Sequence, residues 1–361
     1  MIEAVHQLVP SLSRHDAVSD HALEVRSLLG SLGLESEIWY DVAHPGAHAD
    51  GRPYQELATA AGAARTVLLY QMSTGSPMAD FILGRPERRV VNYHNITPDR
   101  VFAPWEPIVA ETLRGGRAQL RQLAAGTALG IADSSFNERD LLTEGYACTA
   151  VSPVLVDLDR RCGETDEATF ARLQDERGAG GADWLFVGRI SPQKRQHDVM
   201  KAFAAYVRHV DQRARLHLVG GEASDSYRTA IARTAAALGL RRSVRLTGAV
   251  PQAALVAHYR SADVFVCLSE HEGFCVPLLE AMHLGVPVVA YPAAAVPDTL
   301  DGAGLLVSSR SPLAVATAVE RVLGDAALRS ALVRSGHARA DHFALPRSRA
   351  RFAGALSAVV A

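Results

Sequence analysis

The stretch Ser269-Glu270-His271-Glu272-Gly273-Phe274-Cys275-Val276-Pro277-Leu278-Leu279-Glu280-Ala281-Met282 decides how this chain reads. It follows an apolar run, Ala262 to Leu268, which predicts a buried parallel strand. Pro277 suits the first turn of a helix, where a missing N–H has no partner to lose. The segment therefore predicts strand, short glycine-bearing loop and helix N-terminus. The free N–H groups of such a terminus favour an anion or a polyhydroxylated ligand. Glu272 precedes the turn glycine, and Glu280 stands eight positions on. An ionised carboxylate only accepts hydrogen bonds, so each can take two hydroxyls of a sugar diol. The bland alternative makes both of them surface charges beside a packed turn.

Working outward, the same strand-then-helix grammar recurs. Ile2 to Val9 reads as a strand, Ala17 to Gly30 as a helix, and Glu37 to Tyr40, Thr66 to Gln71 and Arg89 to His94 as strands. Trp105 to Ala125 predicts a helix or helix pair broken near Gly115-Gly116. Ala128 to Asp133 is a short strand, Ser134 a helix cap, and Cys148 to Val156 closes this half. The polar, glycine-bearing segment 157–182 marks a boundary, with one helix near Glu167 to Gln174. Beyond it come strands at Trp184 to Val187, Arg215 to Val219, Val244 to Leu246, Val286 to Ala290 and Gly304 to Val307. Helices fall at Pro192 to Val210, Tyr227 to Leu238, Ala253 to Arg260 and from Pro277, and the tail after Pro312 is helical. Strands separated by helices indicate parallel sheets. The fold class is α/β, with two Rossmann-like doubly wound domains facing a cleft, and ligands bind such sheets at the carboxyl ends of strands.

Composition bounds the function. The 361 residues suit two domains, and 48% hydrophobic with 21% charged residues is a globular profile. A net charge of −2 argues against nucleic acid as partner. Cys148, Cys162, Cys267 and Cys275 lack C-x-x-C or Cys/His ligand spacing, so they read as reduced thiols and no metal is called for. No apolar run reaches ~20 residues, and the N-terminus lacks the pattern of a secretory signal, so the expected location is cytoplasmic. Lys194 and Lys201 are the only lysines. Arg114, Arg117 and Arg121 share a helical face that could meet an anionic acceptor or headgroup, although carboxylates outnumber arginines in this half. Membrane contact is thus peripheral at most, and nothing sets the oligomeric state.

The opening stretch resembles the Glu-x7-Glu element of the retaining glycosyltransferases of the large GT4 family, whose pattern is roughly Ser-x-x-Glu-Gly-Phe-Gly-x-Pro-x-x-Glu-Ala-Met. Cys275 is the one departure, standing where that pattern has glycine. The resemblance covers most of 183–307 and implies the GT-B fold: residues 1–156 as an acceptor domain, rejoined by a last helix at about 342–361, and 157–341 as the nucleotide-sugar domain. It also matches Gly188-Arg189-Ile190-Ser191-Pro192-Gln193-Lys194 to the turn that contacts the donor diphosphate. Charge grows on the phosphates as the glycosidic bond breaks, so fixed cations there lower the barrier and replace a metal.

The implied reaction is retaining transfer of a sugar from a nucleotide-diphosphate sugar to an acceptor, with UDP favoured and GDP open. The nucleotide sugar is the co-substrate, and no other cofactor is implied. Arg189 and Lys194 would hold the diphosphate. Glu272, with Gly273, Phe274, Cys275 and Val276, would hold the sugar, Glu280 the ribose, and Val250 the base. His94 would complete the site from the other domain, or else be a hydrogen-bonded strand-end histidine. On the acceptor side stand His15, Asp16, Thr74 and Asn95. Many members have a glycine-rich loop where Arg14 to Ser19 stand here. Asp16 reads equally well as an N-cap, and Ser19 as a helix cap. The rival readings are a sugar-nucleotide 2-epimerase on the same fold and a non-catalytic nucleotide-sugar-binding paralogue. That no G-x-G-x-x-G opens either domain argues against a dehydrogenase.

Overall fold

The computed structural model describes residues 1–13, 16–57, 63–178 and 180–360. The chain forms two compact units. The first comprises residues 1–103, 107–156 and 343–361. Its parallel strands are β1 (Ala4–Leu12), β2 (Ile38–Ala43), β3 (Arg52–Pro53), β4 (Thr66–Met72), β5 (Arg88–Tyr93), β6 (Thr127–Ala132) and β7 (Thr149–Val151), in the order β3-β2-β1-β4-β5-β6-β7. Successive side chains on a strand face opposite ways, and β4 is buried along its whole length with mostly apolar side chains on both faces. Leu68, Tyr70 and Met72 enter one core with Tyr93 and Leu120, while Val67 and Leu69 enter another with Leu29 and Phe352. A sheet buried on both faces is what a parallel arrangement with helices on each side requires.

The second unit comprises residues 104–106 and 157–342. Its strands are β8 (Asp183–Val187), β9 (Arg215–Val219), β10 (Val244–Gly248), β11 (Val264–Cys267), β12 (Val288–Ala290) and β13 (Leu305–Leu306), all parallel, in the order β10-β9-β8-β11-β12-β13. Trp184, Phe186, Leu216, Leu218, Val264 and Val266 form its core with helix residues Val199, Phe203 and Val319. Pro104–Glu106 packs here, with the Trp105 ring edge-on to Tyr227 at 5.0 Å between centroids. Among the described residues, no helix is long and apolar enough to cross a membrane.

Several sequence expectations need correction. The helix expected to break at Gly115-Gly116 runs unbroken over Pro107–Ala124. Gly116 is there for close packing: a Cβ on it would lie 2.5 Å from the Gly75 backbone nitrogen. The helix expected over Pro192 to Val210 divides. A single 3-10 turn, Pro192–Lys194, is followed by Arg195 in the left-handed region (φ 55°), and the α-helix is Gln196–His209. β1 continues to Leu12, and β7 is only Thr149–Val151. The first helix, Ala17–Ser31, is capped by Asp16, which accepts from the Val18 and Ser19 amides. Ser19 lies inside that helix and accepts instead from the Ser13 amide.

Candidate active site

In the second unit the strand order reverses between β8 and β11, because β9 and β10 lie on one side and β12 and β13 on the other. At such a reversal the loops leaving the two strands splay apart and open a crevice at their carboxyl ends. The loops in question are 188–194 and 268–275, the two motif-bearing segments. The Glu270 amide donates to the Gln193 carbonyl at 2.7 Å, and Arg195 Nη1 to Glu270 Oε2 at 3.2 Å. Lys194 Nζ then reaches both Glu272 oxygens at 2.7 Å. Burial pulls the Lys194 pKa down, but the Glu272 carboxylate more than offsets this and leaves it above its ordinary value. Arg189 is exposed at the edge of the turn, and its carbonyl accepts from Gln196 Nε2 at 2.8 Å. Gly188, the residue after β8, lies against Gly220, where a Cβ would lie 2.2 Å from the Gly188 carbonyl oxygen.

Cys275 occupies the N-cap of the helix Val276–His283 with φ 74°, and no side chain caps that helix. Gly273 is half-buried, Phe274 and Val276 are buried, and the Phe274 carbonyl accepts from Thr299 Oγ1. Beneath the loop lies Cys267, the last residue of β11. One ligand atom each from Cys267, Glu272 and Cys275 lies within 4.8 Å of the others. The hydrogen bond between the two thiols draws Cys267 below its ordinary pKa, and that bond together with burial raises Cys275 well above it.

Glu280, the proposed ribose ligand, is 1% exposed and fully engaged. Its Oε1 accepts from Arg161 Nε and Nη2, each at 2.9 Å, and its Oε2 from the Tyr259 hydroxyl at 2.8 Å. Burial and this carboxylate keep Tyr259 protonated, well above its usual range. Neither Arg161 nor Tyr259 was singled out from sequence. Arg161 sits in the polar boundary segment, where no periodicity marks it, and Tyr259 reads as an ordinary core position. Val250 is half-buried in the turn after β10.

The first unit reverses its strand order between β1 and β4, so the loops carrying Asp16 and Thr74 leave adjacent strand ends. Asp16 is occupied as the N-cap already described, and Thr74 is half-buried. His15 lies outside the described residues. The His94 side chain is only 2% exposed. Its Nδ1 lies 2.8 Å from Asp133 Oδ2, and its Nε2 lies 2.7 Å from Gln71 Oε1 and 2.8 Å from Asn92 Nδ2. Both ring nitrogens therefore have partners within the first unit. Burial raises the Asp133 carboxyl despite His94, and burial together with His94 lowers neighbouring His21 well below its ordinary value. Asn95 holds a left-handed φ of 76° and donates to Asn137 Oδ1 at 2.8 Å. The arginine face does not offer free charge. Arg114 pairs with Asp99 and Glu111, Arg117 with Asp140, and Arg121 with Glu144.

Comparison with known proteins bears on this geometry. Residues 174–339 match the family model described as "Glycosyl transferases group 1". The chain is 32% identical over 223 residues to a D-inositol 3-phosphate glycosyltransferase of Corynebacterium jeikeium, covering 59% of this chain and 53% of that protein. It is 33% identical over 213 residues to a GDP-mannose-dependent alpha-(1-6)-phosphatidylinositol monomannoside mannosyltransferase of Mycolicibacterium smegmatis, covering 56% and 53%. The chain thus spans about half the length of these curated relatives. Among solved structures, Anabaena HepE in complex with UDP and glucose aligns with a TM-score of 0.74 at 17% identity, covering 99% of this chain and all of that one. Sucrose-phosphate synthase of Thermosynechococcus elongatus aligns at 0.74 and 18% identity, covering 98% of each. At these identities the likeness is one of fold, and that fold is GT-B.

Proposed function

We propose, from the match of residues 174–339 to the group 1 glycosyl transferases, that the chain transfers a sugar from a nucleotide-diphosphate donor to a nucleophilic acceptor with retention of anomeric configuration. One observation carries the proposal. The reversal of strand order between β8 and β11 sets a cationic turn, Arg189 to Lys194, beside a carboxylate loop, Glu272 to Cys275.

In this reading Arg189 and Lys194 bind the diphosphate and stabilise the charge that grows on it as the bond to the sugar breaks. No metal is needed for that step. Glu272 and the amides of Gly273 to Val276 orient the transferred sugar, and Val250 supports the base. Glu280 takes the ribose hydroxyls once Arg161 turns away from it. No side-chain nucleophile is required if the leaving phosphate accepts the acceptor's proton on the same face. The first unit takes the acceptor, with Thr74, Asn95 and the Asp16 turn at its strand ends. His94 acts there as a positioning residue that locks the ends of β5 and β6.

One relative is named for GDP-mannose and one aligned structure for UDP, while both curated names place an inositol-type alcohol among the acceptors to try first. The test has two stages. A thermal-shift series with UDP, GDP and ADP ranks the bases, since binding to the folded state raises its stability. Hydrolysis of a nucleotide-sugar panel is then compared between the wild type and Glu272→Ala. Undiminished turnover in the variant would sink the assignment, and conversion of donor alone to an epimer would replace it.

A further inference from the structure

We propose that Cys267, Cys275 and Glu272 form a binding site for a thiophilic divalent cation of the Zn2+ class. Two sulfurs and one carboxylate oxygen meet within 4.8 Å, and no other cluster of this kind occurs among the described residues. A tetrahedral zinc centre with Zn–S bonds of about 2.3 Å places its sulfurs about 3.8 Å apart, so closing the site asks for small side-chain rotations. The three residues are 1%, 9% and 6% exposed, which keeps bulk water from competing for the ion.

Charge balance supports the assignment. The buried group now holds Lys194 as a cation, Glu272 as an anion and two thiols. Exchange of the two thiol protons for one divalent cation leaves the net charge of the pocket unchanged, so burial adds no uncompensated charge. Glu272 can give one oxygen to the ion while Lys194 keeps the other, and Ser269 Oγ, 3.5 Å from Cys267 Sγ, supports the thiolate. The backbone adds an independent sign. Cys275 adopts φ 74°, a conformation that glycine takes freely and side chains resist, so a thiol is held where glycine is the easier residue. Three protein donors leave a fourth corner for water or a ligand oxygen.

The effect of the ion on turnover rests on the donor-site reading above, whereas the site itself does not. A cation that draws Glu272 and thickens the loop under the sugar opposes the donor, and the donor in turn opposes the cation.

The test uses the reduced, metal-free full chain titrated with Co2+ and then Zn2+. Expected are one Co2+ per chain with thiolate-to-metal charge-transfer absorption, displacement of that signal by Zn2+, and release of two protons per ion. The signal should vanish in Cys275→Gly, whose backbone favours the folded form, and in Cys267→Ala, and should persist in Cys148→Ala and Cys162→Ala. Absence of the band, or its survival in Cys275→Gly, overturns the site. So does a reduced protein that binds no metal but forms a Cys267–Cys275 disulfide with peroxide, two thiols and H2O2 giving the disulfide and two waters. With one equivalent of Zn2+, affinity for an intact, hydrolysis-resistant nucleotide sugar should fall about tenfold or more. If the metal binds and nucleotide-sugar affinity is unmoved, the site stands and the placement of the transferred sugar at this loop fails.

Discussion

Lys194 and Arg161 each hold a glutamate that would otherwise be a buried charge. Removing one partner of such a pair leaves the other uncompensated, a cost of about 3–5 kcal/mol where burial is complete. Arg161 is partly open to solvent, so Arg161→Ala should lower stability by roughly 2 kcal/mol, read from the urea unfolding midpoint. It should also free Glu280 for ribose, so nucleotide affinity should rise or hold while stability drops. Joint loss of both would mean that Arg161 itself contacts the nucleotide. Lys194→Ala should abolish turnover, with donor affinity reduced at least tenfold, about 1.4 kcal/mol. A third residue, His258, lies away from this site. It is buried, with neither ring nitrogen hydrogen-bonded, and burial, His217 and Arg172 lower its pKa to about 4. The neutral ring is thus favoured in the folded chain, and the unfolded chain binds the extra proton. Stability from this group is complete above its ordinary value of 6.5 and falls as pH drops from there toward 4. At pH 5 the loss relative to pH 7 is about 2 kcal/mol. Chemical denaturation at the two pH values should show this fall, and His258→Gln should flatten it.

At the scale of elements, adjacent glycines in one helix make a sharp test. A Cβ on Gly115 meets nothing within 4 Å, whereas one on Gly116 meets the Gly75 backbone at 2.5 Å. Gly115→Ala should therefore stabilise by roughly 0.5–1 kcal/mol through helix propensity. Gly116→Ala should destabilise by about 2 kcal/mol or more, because backbone must move. Equal effects in thermal unfolding would contradict the packing described. The same pair shows where local pattern stops being informative. Two glycines in a row read as a break because propensity is a local quantity, and the partner that explains Gly116 lies on a distant loop. The parallel strands were legible for the opposite reason: β11 is an unbroken apolar run and β4 a mostly apolar one, because both faces are covered. In the candidate site, the loops carrying Lys194 and Glu272 were legible as strand-to-helix turns, but the pairing of the two side chains was not. Nor were Arg161 and Tyr259, since they reach Glu280 only through tertiary folding. Cys267 and Cys275 likewise show no ligand spacing until a strand end and a helix cap bring them together.

At the scale of the molecule, the chain leaves the first unit after residue 156 and returns to it at Phe343. The returning helix, Leu345–Val360, buries Phe352, Leu356 and Val359 among Val5, Leu29 and Val67. Arg349 pairs with Glu24 at 2.7 Å, and Arg88 donates to the Val359 carbonyl at 2.6 Å. Deleting 343–361 should expose that face and selectively weaken the first unit. Calorimetry or limited proteolysis should show early loss of the first unit while the β8–β13 sheet persists. Simultaneous loss of both would show that the two unfold as one cooperative body.

The returning helix also sets an order of assembly during translation. Domains completed on the ribosome ordinarily finish from the amino end. Here the sheet synthesised first waits, with the part of one face beside its first helix uncovered, until the returning helix clears the exit tunnel. The sheet made second has all its own strands and helices by then. The older half of the polypeptide is thus the later one to mature, and its exposed interval is when chaperones have most to hold.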